Sequence, residues 1–116
     1  MDASEKWARR AAAAIAYDWL IANHVTHDDA LKGIREVLDK HGMNPPSVRG
    51  IYGWREKIRE GRTPADVVAH YKRQVAEPPT YASPDVALEK VLAFLRDDLV
   101  HRGHPKRPRS AGEDST

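Results

Sequence analysis

The chain has 116 residues, a length typical of one domain with a hydrophobic core of its own. At 41% hydrophobic and 31% charged residues, its composition is that of a globular protein and excludes a wholly disordered one. Cysteine is absent, which excludes disulfides and thiolate metal sites. The first residues include acidic side chains, and Asp18 interrupts the apolar run from Ala11 to Ile21. We therefore expect no signal peptide, no membrane span and a cytoplasmic protein.

The net charge of +2 is distributed unevenly along the chain. From Ser47 to Arg73 there are seven Lys or Arg residues against three Asp or Glu, and from His101 onward there are four against two. A local basic region on a nearly neutral body is typical of proteins with an anionic partner. A solvated helix face would give the same pattern.

The first predicted helix spans about Ser4 to Asn23. Trp7, Ile15 and Trp19 recur on one face at helical spacing, with alanines between them. A second apolar strip lies on the opposite side and consists of Tyr17, Leu20 and Ile21. We expect a central core helix. The alternative is an interface with a second copy or a protein partner, formed by Trp7, Tyr17, Leu20 and Ile21.

The second predicted helix has clear signals at both ends. Thr26 and Asp29 form a variant of the capping box, and Gly42 is the expected left-handed residue after the last turn. Its predicted buried stripe consists of Leu31, Ile34, Leu38 and His41, with Ala30 and Val37 beside it.

The third segment, from Pro46 to Glu60, is irregular. Gly50 and Gly53 each cost about 1 kcal/mol relative to alanine in a helix interior. An unbroken helix would also place Arg55 in the middle of the apolar face. We expect a break near Gly53 that gives two short helices, with one continuous helix as the alternative.

Two further helices follow. Thr63 is predicted to cap the fourth, with Pro64 in its first turn and Asp66 completing the box. Lys72 and Arg73 suit the negative end of its dipole, and Pro78 and Pro79 end that helix. The fifth is predicted to start at Ser83 and Pro84 and to end at Gly103. The sequence thus predicts an all-α domain over residues 1–103, a compact bundle of about five helices, followed by a disordered tail over 104–116.

A helix-turn-helix-like segment lies at the centre of the chain. The matching positions are Val37, Leu38, Gly42, Met43, Val48 and Ile51. In the spacing of apolar anchors and turn glycine, Val37 to Ile51 resembles helix-turn-helix DNA-binding domains. The resemblance implies that Asn44, Ser47, Arg49, Tyr52 and Gly53 face the DNA groove or its phosphates, with Gly53 permitting close approach. A plain helical hairpin would share the same pattern.

A second resemblance covers Gly61 to Tyr71, with the sequence GRTPADVVAHY. It is similar to the C-terminal domain of actinobacterial H-NS-like nucleoid silencers, whose Arg-Gly-Arg loop inserts into the AT-rich minor groove. The resemblance implies a DNA contact by Arg62, while Glu60 stands where the family has its first arginine. Arg55, Arg59 and Arg62 also recur at helical spacing, with Lys57 nearby, and this pattern suits phosphate contacts.

Enzymatic motifs are absent from the sequence. It has no glycine-rich phosphate loop and no serine at a nucleophile elbow, and each pair of histidines with metal-ligand spacing straddles a predicted helix end. We therefore expect no enzyme, no cofactor and no metal site.

The first hypothesis is a small DNA-binding regulatory protein of phage or actinobacterial type, acting as a homodimer. The alternative is a protein-interaction module, such as an inhibitor, immunity or adaptor protein, that uses the second strip of helix one or the Trp54 region.

Overall fold

The first helix, α1 (Ala3–Ala22), lies at the centre of the fold. In the computed structural model, which describes residues 3–42 and 48–103, α1 contacts each of the other four helices. Every side chain from Ala11 to Tyr17 is buried, together with Trp19 and Leu20. The alanines allow neighbouring helices to approach on several sides, because a methyl group occupies little space. The prediction of a central core helix is confirmed.

Four helices surround α1: α2 (His27–Lys40), α3 (Val48–Arg59), α4 (Ala65–Ala76) and α5 (Pro84–Gly103). No strand occurs within 3–42 or 48–103, and the predicted all-α class with five helices is confirmed. Besides α1, α5 packs against α2, and α4 packs against α3. The largest fully buried side chains are Ile15, Leu20, Ile34, Leu38, Ile51, Ile58, Val91 and Leu95. The tail predicted for 104–116 lies outside the described residues.

The predicted ends of α2 are confirmed, and α3 ends in a similar way. The Asp29 amide donates to Thr26 Oγ1 at 3.2 Å, and Gly42 has a φ of 76°. After α3, the Gly61 amide donates to the Ile58 carbonyl at 3.1 Å and the Arg62 amide to the Lys57 carbonyl at 2.9 Å. These two bonds, with a φ of 75° at Gly61, form a Schellman motif.

The predicted break in the third segment is wrong, because α3 is one helix from Val48 to Arg59. Arg55 does lie on the side of α3 that packs on the core, but its Nε atom donates to Asp18 Oδ1 of α1 at 2.8 Å. The carboxylate satisfies the cation, so the helix does not have to break to bring Arg55 to water. Gly53 also fits inside a helix, since a Cβ there would meet no atom of residues 3–42 or 48–103 within 4 Å.

The predicted cap of α4 is also wrong. Pro64 is the N-cap residue, in an extended conformation with φ −55° and ψ 143°, and no side chain of the described residues forms a capping hydrogen bond there. Its carbonyl accepts hydrogen bonds from the amides of Val67 and Val68. Thr63 therefore precedes the cap by one residue, and its Oγ1 atom is buried without a hydrogen-bond partner among the described residues.

The interface predicted on α1 needs a correction as well. Leu20 has no exposed surface and Tyr17 is 8% exposed, so both belong to the core. The helix is enclosed on both apolar sides by the other helices, and a partner is not required to cover it. Trp7 is half-buried, and Ile21 is 38% exposed. Only these two of the four residues remain accessible.

The turn between α1 and α2 contains a histidine in the left-handed region. His24 has a φ of 67°, its amide donates to the Ile21 carbonyl, and the Val25 amide donates to the Leu20 carbonyl, both at 3.0 Å. The buried Asn23 side chain joins this turn to the segment between α4 and α5. Its Nδ2 donates to the Pro79 carbonyl at 2.8 Å, and its Oδ1 accepts from the Tyr81 amide at 2.9 Å.

Replacing His24 by glycine is expected to raise the free energy of unfolding by up to about 1 kcal/mol. A left-handed conformation costs a residue with a side chain about 1–2 kcal/mol, and glycine removes this cost. The greater conformational freedom of glycine in the unfolded chain offsets part of the gain. Urea unfolding measures the change. His70→Gly, inside α4, is the matched control and should destabilise by about 1 kcal/mol. Equal destabilisation by both variants would contradict the strain at His24.

Candidate anion-binding groove

An ion pair joins three helices at the side of α1. Asp18 of α1 accepts a hydrogen bond from Arg55 Nε of α3 at 2.8 Å, and the Tyr71 hydroxyl of α4 donates to its other oxygen. The Arg55 guanidinium also lies over the Tyr17 ring, 5.6 Å from its centroid. The side chains of the ion pair are 24% exposed at Arg55 and 16% at Asp18. The pair therefore fixes the positions of α3 and α4 relative to α1.

The protonation states of this network follow from burial and from the Asp18 charge. Burial raises the pKa of the Tyr71 hydroxyl, and the hydrogen bond to Asp18 and the negative charge there raise it further. Burial acts to lower the pKa of the Arg55 guanidinium, but attraction to Asp18 outweighs this effect and leaves that pKa raised. Burial also raises the pKa of Tyr17. At neutral pH, Tyr71 is a donor and Arg55 a cation.

A groove of about 590 Å³ opens beside this ion pair, between α1, α3 and α4. Its charged lining consists of Asp18, Arg55, Arg59 and Lys72. Because Asp18 neutralises Arg55, the exposed Arg59 and Lys72 leave this part of the groove positively charged. The rest of the lining is mainly apolar and comes from Ile21, Ala22, Val75 and Pro78.

A second polar cluster links α2 to α1 and α3. The Tyr17 hydroxyl lies 3.2 Å from both the Tyr52 hydroxyl and His27 Nδ1. The Tyr52 hydroxyl also forms a hydrogen bond with His27 Nδ1, and the two rings stack with their centroids 5.2 Å apart. Tyr52, predicted to face DNA, is thus half-buried and bonded inside the protein. Sequence reasoning missed this role of His27, the first residue of α2.

A third cluster lies at the surface between α1 and α3. The Arg10 guanidinium stands 4.8 Å from the ring centroid of Trp7 and 5.1 Å from that of Trp54. All three residues are half-buried. Cation–π contacts of this kind stabilise the packing of α1 on α3 and leave part of each indole accessible.

The structure brings only some of the predicted DNA contacts together. Arg55 and Arg59 line one groove with Lys72, which sequence reasoning placed only as a favourable charge at the end of α4. Lys57 is exposed on α3. Arg62 is exposed and pairs with Glu60 at 3.2 Å. Three predicted contacts are not described by the structure: Asn44 and Ser47 lie outside the described residues, and Arg49 has no described side chain.

Comparison with family models, with curated proteins and with solved structures finds no match for this chain. Both DNA-binding resemblances in the sequence therefore stay predictions. Within residues 3–42 and 48–103, no helix combines the length and apolar character needed to cross a membrane. The same residues contain no group of three His, Asp or Glu side chains placed to hold a metal ion.

Replacing Asp18 by asparagine is expected to lower the free energy of unfolding by about 2–3 kcal/mol, since a largely buried guanidinium loses its counter-charge. Adding Arg55→Leu should recover part of this loss, because the leucine removes the unpaired cation from an apolar surface. Urea unfolding of the single and double variants measures the coupling. The control is Glu60→Gln, which breaks an exposed pair and should change stability by less than about 1 kcal/mol. Similar effects from Asp18→Asn and the control would contradict the structural role of the pair.

The raised pKa of Tyr71 predicts a loss of stability at alkaline pH. The folded protein keeps a proton that the unfolded chain releases near the ordinary tyrosine pKa of 10.0, so unfolding becomes more favourable as the pH rises through that value. Tyr71→Phe lacks this ionisation and should lose less stability between about pH 9 and 11. Urea midpoints across that range test the difference. Identical pH dependence in both proteins would contradict the shift.

Proposed function

We propose that the protein is a small, non-enzymatic, cytoplasmic regulatory protein that binds duplex DNA through the end of α3 and through α4. The proposal rests on one observation: Arg59 of α3 and Lys72 of α4 line the same groove, in which Arg55 already neutralises Asp18. Two exposed cations from different helices form a surface that suits backbone phosphates, whose neutralisation provides most of the non-specific affinity for DNA.

The charge of the segment that contributes Arg59 and Lys72 supports the same proposal. Between Lys57 and Arg73 there are five Lys or Arg residues and two Asp or Glu residues. Lys57, Arg62 and Arg73 are exposed. In this proposal Arg55 acts as a positioning residue, since its Nε is bonded to Asp18. Asn44, Ser47 and Arg49 remain predicted DNA contacts of the helix-turn-helix-like segment.

A salt titration with a labelled duplex tests this proposal. Binding should weaken steeply with salt, and Arg59→Gln combined with Lys72→Gln should reduce the slope of log K against log salt by about 2, because each phosphate contact contributes about 0.9. The matched control is Lys32→Gln with Arg96→Gln, which removes two exposed cations from α2 and α5. If the control variant lowers the slope equally, or if the affinity does not depend on salt, the groove is not the surface that binds DNA phosphates.

The Gly53→Ala variant distinguishes an effect on stability from an effect on DNA binding. An alanine side chain would meet open space, so the variant should be more stable by up to about 1 kcal/mol. If the helix-turn-helix-like segment enters the DNA groove, the added methyl group should weaken duplex binding despite the gain in stability. Thermal unfolding and duplex titration are compared on the same samples. Unchanged binding would remove Gly53 from the contact surface and leave the groove as the main contact.

A second candidate function, a protein-interaction module, is supported by the cluster of Trp7, Arg10 and Trp54. Tryptophan and arginine are enriched among the residues that contribute most to protein interfaces, and both indoles here remain partly accessible. In this alternative, Trp54→Ser would abolish retention of a co-purified partner after nuclease treatment, whereas Arg59→Gln would not.

A homodimer is part of the first proposal, and sedimentation equilibrium at two protein concentrations tests it.

A further inference from the structure

The groove has an apolar wall that phosphate contacts do not use. Ile21 of α1 is 38% exposed, and Val75 and Pro78 line the same groove at the end of α4. Exposed apolar surface inside a concave site favours a ligand that removes it from water. The cations Arg59 and Lys72 lie in the same groove.

We propose that this groove binds a small amphiphilic anion, with a phosphate or carboxylate head at Arg59 and Lys72 and a short aliphatic body against Ile21 and Val75. Such a ligand would act as an effector that displaces DNA, because it occupies two cations of the DNA surface. The displacement, unlike the binding, rests on the proposed function.

The charge arrangement in the groove favours an anionic head. Among the described residues, Asp18 is the one carboxylate that lines the groove, and it accepts hydrogen bonds from Arg55 Nε and from the Tyr71 hydroxyl. Its negative charge is therefore largely cancelled before any ligand arrives. Arg59 and Lys72 come from different helices that the ion pair holds in place. An anion bound in the groove would gain a charge-assisted contact from each of these two side chains.

The size of the groove favours a small molecule over a protein segment. Its volume of about 590 Å³ lies within the range of roughly 300–1,000 Å³ found for small-molecule sites. The residues that line it are far fewer than the roughly 20–30 per side of a stable protein interface. A short aliphatic chain with one charged end matches both the volume and the division of the lining into cationic and apolar parts.

Titration of the full-length, ¹⁵N-labelled protein tests the binding, with n-octyl phosphate and octanoate as amphiphilic probes below their micelle concentrations. Inorganic phosphate is the control for the anionic head alone, and n-octanol is the control for the aliphatic body alone. Both amphiphiles should shift the amide signals of residues around the groove, and at least one should bind about tenfold or more tightly than either control, because several methylenes become buried. Phosphate binding as tightly as octyl phosphate, or shifts centred elsewhere on the protein, would overturn the proposal.

Single substitutions test the cationic part and the apolar part of the groove separately. Lys72→Gln should weaken octyl phosphate binding several-fold, and Ile21→Ser should do the same without affecting the weak binding of inorganic phosphate. Lys90→Gln, an exposed position on α5, is the control and should bind as the unaltered protein does. Circular dichroism confirms that each variant is folded, and loss of binding in Lys90→Gln to the same extent would contradict a site at the groove.

Duplex DNA added to the same samples separates this inference from the proposed function. Displacement of DNA by octyl phosphate, but not by octanol, supports the effector role. Amphiphile binding at the groove without any DNA binding would refute the proposed function and leave the ligand site standing. DNA binding without amphiphile binding would refute the ligand site alone.

Discussion

The ion pair between Asp18 and Arg55 is the constraint on which the rest of the molecule depends. A charged group on the central helix of an all-α core is expensive to bury unless it is paired and hydrogen-bonded. Here the Asp18 carboxylate meets a guanidinium from α3 and a hydroxyl from Tyr71 of α4, so one side chain holds three helices. The same pairing leaves Arg59 and Lys72 as the cations that define the charge of the groove.

Most features fixed by local sequence were predictable, and the exception is the cap of α4 that was expected at Thr63. The cap at Thr26, the left-handed Gly42 and the start of α5 at Ser83 and Pro84 depend on neighbours a few residues away, and these neighbours can be read directly. The central position of α1 was also predictable, because a helix that is apolar on two sides has to be enclosed. Such signals are local or periodic, and the distant parts of the chain do not change them.

The candidate site depends on distant residues and was only partly predictable. Arg55 looked like a helix breaker because its partner, Asp18, is 37 residues away. Lys72 looked like a charge that suits the end of α4, because sequence does not tell which helix faces α3. Tyr52 looked like a DNA contact, although His27 and Tyr17 engage its hydroxyl. In each case a tertiary partner changes the role that the residue's own helix implies.

The most direct test of the DNA-binding account is to map the surface that a duplex contacts, by titrating DNA into ¹⁵N-labelled protein at low salt. If duplex DNA binds at the groove, the largest amide shifts will occur at the end of α3 and along α4, around Arg59 and Lys72, and the exposed face of α5 will be unaffected. Shifts centred on Trp7 and Trp54, or none at all, would contradict it.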